Sequence, residues 1–298
     1  MGGLGLACAL GAGLLNSTVP FIFRRESADI SRQAGVMFWG LVLTSAAAWA
    51  IASAWGLSFG GWPFVAAAAI SGALMVVNSF TYLGIVAHRG PIAISWAVVW
   101  MSAVCVAALG WIFLGEPVLA GQPAGLACFV GCLAVMAAAS RLAGGRGTNS
   151  ASISKGYWPW LMVSFSAGVA STFVMKAKDL WPPVGHSVAF VAVSAGAAAA
   201  ALAVMGLASG RGFRTDRRTV SLGALYAAVL LANLVVLLEG LSVSVASVFF
   251  PVMAGVAILS GTALAALGGE RPSRLVYAGS ALAVLAIVLV NVGRPLVN

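Results

Sequence analysis

The sequence predicts an all-α integral membrane protein: ten transmembrane helices arranged as two inverted five-helix repeats. Three observations predict it. Of 298 residues, 61% are hydrophobic and 8% charged, so 16 Lys and Arg with 7 Asp and Glu cannot cover a water-facing surface. Ten apolar runs each approach the ~20 residues a helix needs to cross a bilayer. One internal offset, 154 residues, superimposes short motifs of the first half on the second.

This composition, with a mean hydropathy of +1.04, excludes a soluble globular enzyme. A net charge of +9 would point a soluble protein toward nucleic acid, but here the cations fall in short blocks between apolar runs. They read as topology signals, and no nucleic-acid partner is expected. Cys8, Cys105, Cys128 and Cys132 lie inside apolar runs without metal-ligand spacing. They are expected to be small core residues, with neither a metal nor a cofactor.

Helix 1 is predicted at about 3 to 22; without a basic stretch before it, it reads as a span and not a signal peptide. It carries Asn16-Ser17-Thr18 before Pro20, where small polar residues let helices approach, or where unwinding beside Pro20 would expose carbonyls to a ligand. Helix 2 follows at 35 to 55 and helix 3 at 63 to 87, divided by Gly60-Gly61-Trp62-Pro63. Ser71, Asn78 and Tyr82 share one face of helix 3, at i, i+7 and i+11. Such a face lines a cavity or hydrogen-bonds to another helix, since lipid offers no partner. After Arg89-Gly90-Pro91, helix 4 at 92 to 113 carries Ser95, Trp96 and Trp100. The two Trp share a face and either stack on a substrate or pack against protein and lipid. Gly115-Glu116-Pro117 ends it, and helix 5 is predicted at 123 to 140.

The polar stretch from Arg141 to Lys155 divides the chain into a first repeat at 1–144, a connecting loop at 145–157 and a second repeat at 158–298. Helix 6, at 158 to 176, carries Ser171-Thr172. Lys176 and Lys178 near its end either attract an anionic substrate or snorkel to the interface. Helix 7 is predicted at 186 to 208 and helix 8 at 220 to 239, with Tyr226 and Asn233 as its polar pair. Glu239, near the end of helix 8, is the candidate proton or cation site, because a carboxylate at membrane depth needs a cavity or a partner. The alternative is an interfacial Glu reaching headgroup water. Helix 9, at 247 to 267, places Phe250 opposite Trp96 in the repeat, just before Pro251, which is expected to kink or break it. Helix 10 is predicted at 275 to 293. Trp62, Trp158, Trp160 and Trp181 read as an interfacial belt, and His88 as part of a turn.

At the 154-residue offset Gly115-Glu116 falls on Gly269-Glu270, Ser17-Thr18 on Ser171-Thr172, Arg24 on Lys178 and Gly125 on Gly279. Five helices is an odd number, so the second copy enters the membrane from the opposite side, an arrangement typical of transporters. The Gly-Glu pairs are read as a tight connection whose carboxylate complements the helix that follows it, helix 5 or helix 10, with a gating role as the alternative.

The run Leu83-Gly84-Ile85-Val86-Ala87-His88-Arg89-Gly90-Pro91-Ile92 with Phe113-Leu114-Gly115-Glu116-Pro117 resembles the third to fifth helices of EamA-type transporters of the drug/metabolite transporter superfamily. Phe249-Phe250-Pro251, Leu267-Gly268-Gly269-Glu270-Arg271-Pro272 and Val290-Asn291 resemble the same pattern a second time, so the likeness spans essentially the whole chain. It implies ten helices around a central cavity and the movement of amino acids, drugs, sugars or other metabolites. Small four-helix relatives carry a membrane-embedded Glu on helix 1; here helix 1 has no acid, and Asn16 is its most polar residue.

Assigning Lys and Arg to alternate loops puts 13 on one side and 3 on the other. The positive-inside rule then places the loops at Arg24, Arg89, Arg141, Arg211 and Arg271 in the cytoplasm and both termini outside.

The expected function is a secondary-active exporter of small organic metabolites such as amino acids or drugs, working by alternating access in the cell membrane. The expected substrate-binding residues are Asn16, Asn78, Tyr82, Trp96, Trp100, Tyr226, Asn233 and Phe250. The alternatives are a nutrient uptake permease and a non-transporting scaffold. With no His-Glu-x-x-His, no Gly-x-Ser-x-Gly and only two histidines, an enzyme is not expected. The expected partners are a small-molecule substrate and the lipid bilayer, with a homodimer as the candidate assembly.

Overall fold

A computed structural model of the chain describes residues 2–24, 30–87, 102, 105–144, 157–180, 182–208, 213–267 and 273–290. They are helical, with no strand among them. The helices are α1 (Gly3–Arg24), α2 (Ile30–Ala54), α3 (Trp62–Ala87), α4 (105–113), α5 (Gln122–Gly144), α6 (Tyr157–Ala177), α7 (Ser187–Ala208), α8 (Arg217–Val243), α9 (Ala246–Leu267) and α10 (Arg274–Val290). A 3-10 turn, Lys178–Leu180, follows α6. Among the described residues, six helices are long and apolar enough to cross a membrane: α2, α3, α6, α7, α8 and α9. The apolar stretches Gly3–Val19, Gln122–Val135 and Arg274–Val290 are shorter.

At Pro251 a break of the helix is absent, and at Pro20 the alternative of local unwinding is absent. The helix α9 runs unbroken through Pro251, near its start, where a missing N–H costs one intrahelical bond. Likewise α1 continues through Pro20 to Arg24, so no unwound segment exposes carbonyls there. All four cysteines are free, and Cys132 is buried.

The chain forms two compact units. Unit 1 holds residues 1–14, 77–169 and 243–298; unit 2 holds 15–76 and 170–242.

Unit 2 is organised on the packing of α2 against α7, and small residues set its spacing. Ala48 and Ala52 of α2 and Ala189, Ala192, Ala195 and Ala198 of α7 are buried, and Ser45 Oγ donates to the Ala192 carbonyl at 2.8 Å. Gly40 meets the ring of Tyr226, and Gly72 meets the Ser194 carbonyl, so closely that neither site has room for a Cβ. At one end of the unit the connections after α2 and after α6 are stitched together: Gly61 N donates to Pro183 O at 2.8 Å and His186 N to Ser58 O at 2.9 Å. At the starts of α2 and α8, Arg32 pairs with Asp216 at 3.5 Å and Phe38 stacks on Phe213 at 4.7 Å.

Unit 1 packs α10 against α5 and α9. A Cβ on Gly125 would lie 2.9 Å from Val290 N, and one on Gly255 would lie 2.7 Å from Ile287 Cδ1. Val248, Phe249, Phe250, Val252 and Ala254 make the first half of α9 the apolar core of this unit.

Candidate functional site

In unit 2, Asn16 of α1 donates through Nδ2 to Asn233 Oδ1 of α8 across 3.4 Å. Asn233 is buried and Asn16 half-buried. At 3.4 Å the contact is well beyond the usual ~2.9 to 3.0 Å. Each amide offers two donors and an acceptor with two lone pairs, the chemistry that recognises neutral polar groups. Below it in the same unit, the Ser71 and Ser171 hydroxyls lie 3.2 Å apart, tying α3 to α6.

Tyr226 lies two turns before Asn233 on the same face, with its ring buried against Gly40, where it packs α8 on α2. Glu239 is six residues beyond Asn233, about 120° around the helix at 100° per residue. It is half-buried on the face shared by the exposed Ala228 and Ala232, and among the described residues no hydrogen bond or ion pair reaches it. The structure therefore separates Glu239 from the Asn16–Asn233 pair.

In unit 1, Asn78 Oδ1 accepts from Ser164 Oγ at 2.7 Å, a short bond that ties α3 to α6. Ser164 was not singled out by spacing, because a lone Ser in an apolar helix carries no periodic signal. Phe250 is buried, with its ring edge-on to Phe249 at 5.6 Å, inside the α9 core. The backbone of Tyr82 is part of α3, while its side chain lies outside the described residues, as do Trp96, Trp100, Gly269 and Glu270.

Glu116 carries a different role from the one its position suggests. Both its carboxylate oxygens accept from the Ala246 N–H, Oε1 at 3.0 Å and Oε2 at 2.8 Å. It therefore caps α9 and not α5, the helix it precedes. Gly115, at φ 63°, turns the chain out of α4, and Glu116 N returns to Gly110 O at 3.2 Å. Gly110 leaves the carboxylate its place: a Cβ there would lie 2.8 Å from Oε2. Pairing of an anion with a helix start explains the stability of this contact, but which helix start is reached depends on tertiary packing.

The two lysines at the end of α6 are likewise engaged within the protein. Lys176 Nζ donates to the Leu241 carbonyl at 2.8 Å. Lys178 is 1% exposed, donates to Ser242 Oγ at 2.9 Å and pairs with Asp179 at 2.6 Å. Two cations thus complement the carbonyl end of α8. At its start, Asp216 caps α8 by accepting from Thr219 N at 2.8 Å. That bond, helped by Arg32 and Arg214, holds the Asp216 carboxyl below its usual range.

No family model and no curated protein matches the sequence. A solved structure, described only as a crystal structure of a protein, matches with a TM-score of 0.74 at 17% identity, over 96% of this chain and 96% of that chain. That likeness extends to the fold of the whole chain.

Proposed function

We propose that the chain is a secondary-active transporter of small organic metabolites, an exporter of the EamA type, with ten membrane helices in two inverted five-helix repeats. The observation that carries this reading is the recurrence of helix boundaries at the offset found in the sequence. Displaced by 154 residues, the start of α3 at 62 falls one residue before the start of α8 at 217, and the start of α5 at 122 falls two residues beyond the start of α10 at 274. Packing recurs as well. The close pair Gly40–Tyr226 becomes Ser194–Gly72 under the same displacement, and both are contacts of unit 2. Repeats with an odd number of spans are the architecture on which alternating access operates.

Within that reading, the Asn16–Asn233 pair is the substrate contact best supported by geometry. A long amide contact costs little to exchange for a ligand's hydrogen bonds, whereas the 2.7 Å Asn78–Ser164 bond holds helices together. Glu239, half-buried and without a partner among the described residues, is the coupling group of this proposal. The Arg32, Arg214, Arg217 and Arg218 end of unit 2 faces the cytoplasm in it.

The test is a thermal-shift screen of the purified protein against amino acids, sugars, nucleosides and cationic drugs, followed by flux of each hit in proteoliposomes. A ligand of the folded state raises the melting temperature. Flux of a hit that is lost in Asn16→Ala supports the reading; a panel with neither binding nor flux removes it in favour of a non-transporting protein.

A further inference from the structure

The start of α2, the end of α7 and the start of α8 meet at one corner of unit 2. Phe213 joins them: its ring stacks on Phe38 of α2 at 4.7 Å, and a Cβ on Gly206 of α7 would lie 2.6 Å from its Cζ. The next residue is seated as closely, since a Cβ on Gly35 of α2 would lie 2.8 Å from Arg214 O. Asp216 then caps α8 at Thr219 N and pairs with Arg32 of α2 at 3.5 Å. The segment from 213 to 219 is therefore anchored on both neighbouring helices.

Two exposed surfaces adjoin at this corner. One is cationic. Arg214, Arg217 and Arg218 are exposed, and with Arg32 they set four guanidinium groups against the single carboxylate of Asp216 among the described residues 30–38, 204–208 and 213–219. The other is apolar. Val204 and Leu207, one turn apart on α7, are 64% and 83% exposed. Gly206, beside Leu207, is the residue that meets Phe213, so the apolar strip runs up to the segment that carries the arginines.

A guanidinium fork matches phosphate oxygens two at a time. A soluble anion would use the cationic surface alone, whereas a lipid with a negatively charged headgroup uses both surfaces. We propose that this corner binds an anionic phospholipid, its phosphate held by Arg214, Arg217 and Arg218 and its acyl chains lying along Val204 and Leu207. The site requires a bilayer but not transport, so it goes beyond the function proposed above and does not fall with it.

The experiment titrates delipidated full-length protein in neutral detergent with phosphatidylglycerol and with phosphatidylcholine of the same acyl chains, and reads bound lipid by native mass spectrometry. Phosphatidylglycerol is expected to bind about tenfold tighter or more. Arg217→Gln is expected to weaken it about fivefold, and the combined variant Arg214→Gln, Arg217→Gln, Arg218→Gln to erase the preference. Arg274→Gln removes the same charge from an exposed position at the start of α10, in unit 1, and is expected to leave the affinity unchanged. Leu207→Asn is expected to weaken both lipids alike. Equal binding of the two lipids, equal losses in Arg217→Gln and Arg274→Gln, or unchanged binding in Leu207→Asn overturns the proposal. Displacement of phosphatidylglycerol by millimolar inorganic phosphate also overturns it, in favour of a site for a soluble anion. If the combined variant fails to fold, Arg217→Gln against Arg274→Gln decides alone.

Discussion

The Glu116 carboxylate and the Ala246 N–H, 130 positions apart in sequence, form the cap of α9. A loop residue at the end of one helix thereby satisfies the orphan donor at the start of another. The contact makes the neighbouring glycine consequential.

Gly110→Ala is expected to act through Glu116. The added methyl would stand 2.8 Å from Oε2 and push the carboxylate off Ala246 N. Losing the cap costs about 1 to 2 kcal/mol, so the single variants Gly110→Ala and Glu116→Ala are each expected to lower the melting temperature. The double variant is expected to fall little further than either alone, which a double-mutant cycle of thermal melts checks.

Gly72→Ala and Gly261→Ala are expected to behave oppositely. A Cβ at Gly72 meets the Ser194 carbonyl, part of the backbone of α7, and the helices must separate at a cost of about 1 to 3 kcal/mol or more. Nothing lies within 4 Å of a Cβ at Gly261, so Ala there gains up to about 1 kcal/mol of helix propensity. The yield of monodisperse protein and its melting temperature separate the two.

Asn16→Ala and Asn78→Ala are expected to split binding from stability. Asn78 loses a short bond to Ser164, a loss of about 0.6 to 1 kcal/mol in folded protein. Asn16 loses its amide contact with Asn233 and is expected to weaken the shift produced by a ligand hit more than it lowers the melting temperature. Equal losses of ligand shift in both variants would remove the distinction.

Asp216 makes stability depend on acid pH. Its carboxyl is held below the usual value chiefly by the Thr219 N–H, so the folded state favours the ionised form. A depressed folded value means that the contribution is present above the unfolded value, about 3.9, and disappears as pH falls through the folded one. The melting-temperature difference between wild type and Asp216→Asn is therefore expected at pH 7 and expected to vanish in strong acid.

Glu239→Gln is expected to abolish the pH dependence of transport while leaving the fold intact, because no hydrogen bond or ion pair among the described residues depends on the carboxylate. Flux measured in proteoliposomes across a pH gradient checks this; an unchanged gradient response would remove Glu239 as the coupling group.

Much of the architecture was legible because lipid imposes its demands on local sequence. A span must be apolar over its whole length and must satisfy its backbone internally, so the predicted runs beginning at 63, 186 and 247 agree with the starts of α3, α7 and α9 to within a residue. Charged ends were harder. The helix α8 begins at Arg217 and runs to Val243, beyond the 220 to 239 expected, because Asp216 caps its start and Lys176 and Lys178 complement its end. Those partners come from its own loop in one case and from the end of α6 and the turn after it in the other.

By itself, then, the sequence determined the all-helical fold and the long apolar helices that could cross a membrane, properties of composition and spacing along the chain. It could also nominate polar residues at membrane depth, since each must find a partner. Which partner each one finds was decided only by tertiary structure. Asn16 meets Asn233, Asn78 meets Ser164, the Tyr226 ring packs against Gly40, and Glu116 caps a helix 130 residues away. Hydrogen bonds of this kind form between helices whose faces and heights are set by close contacts of small residues, and periodicity within one helix holds no information about the rotation of its neighbour.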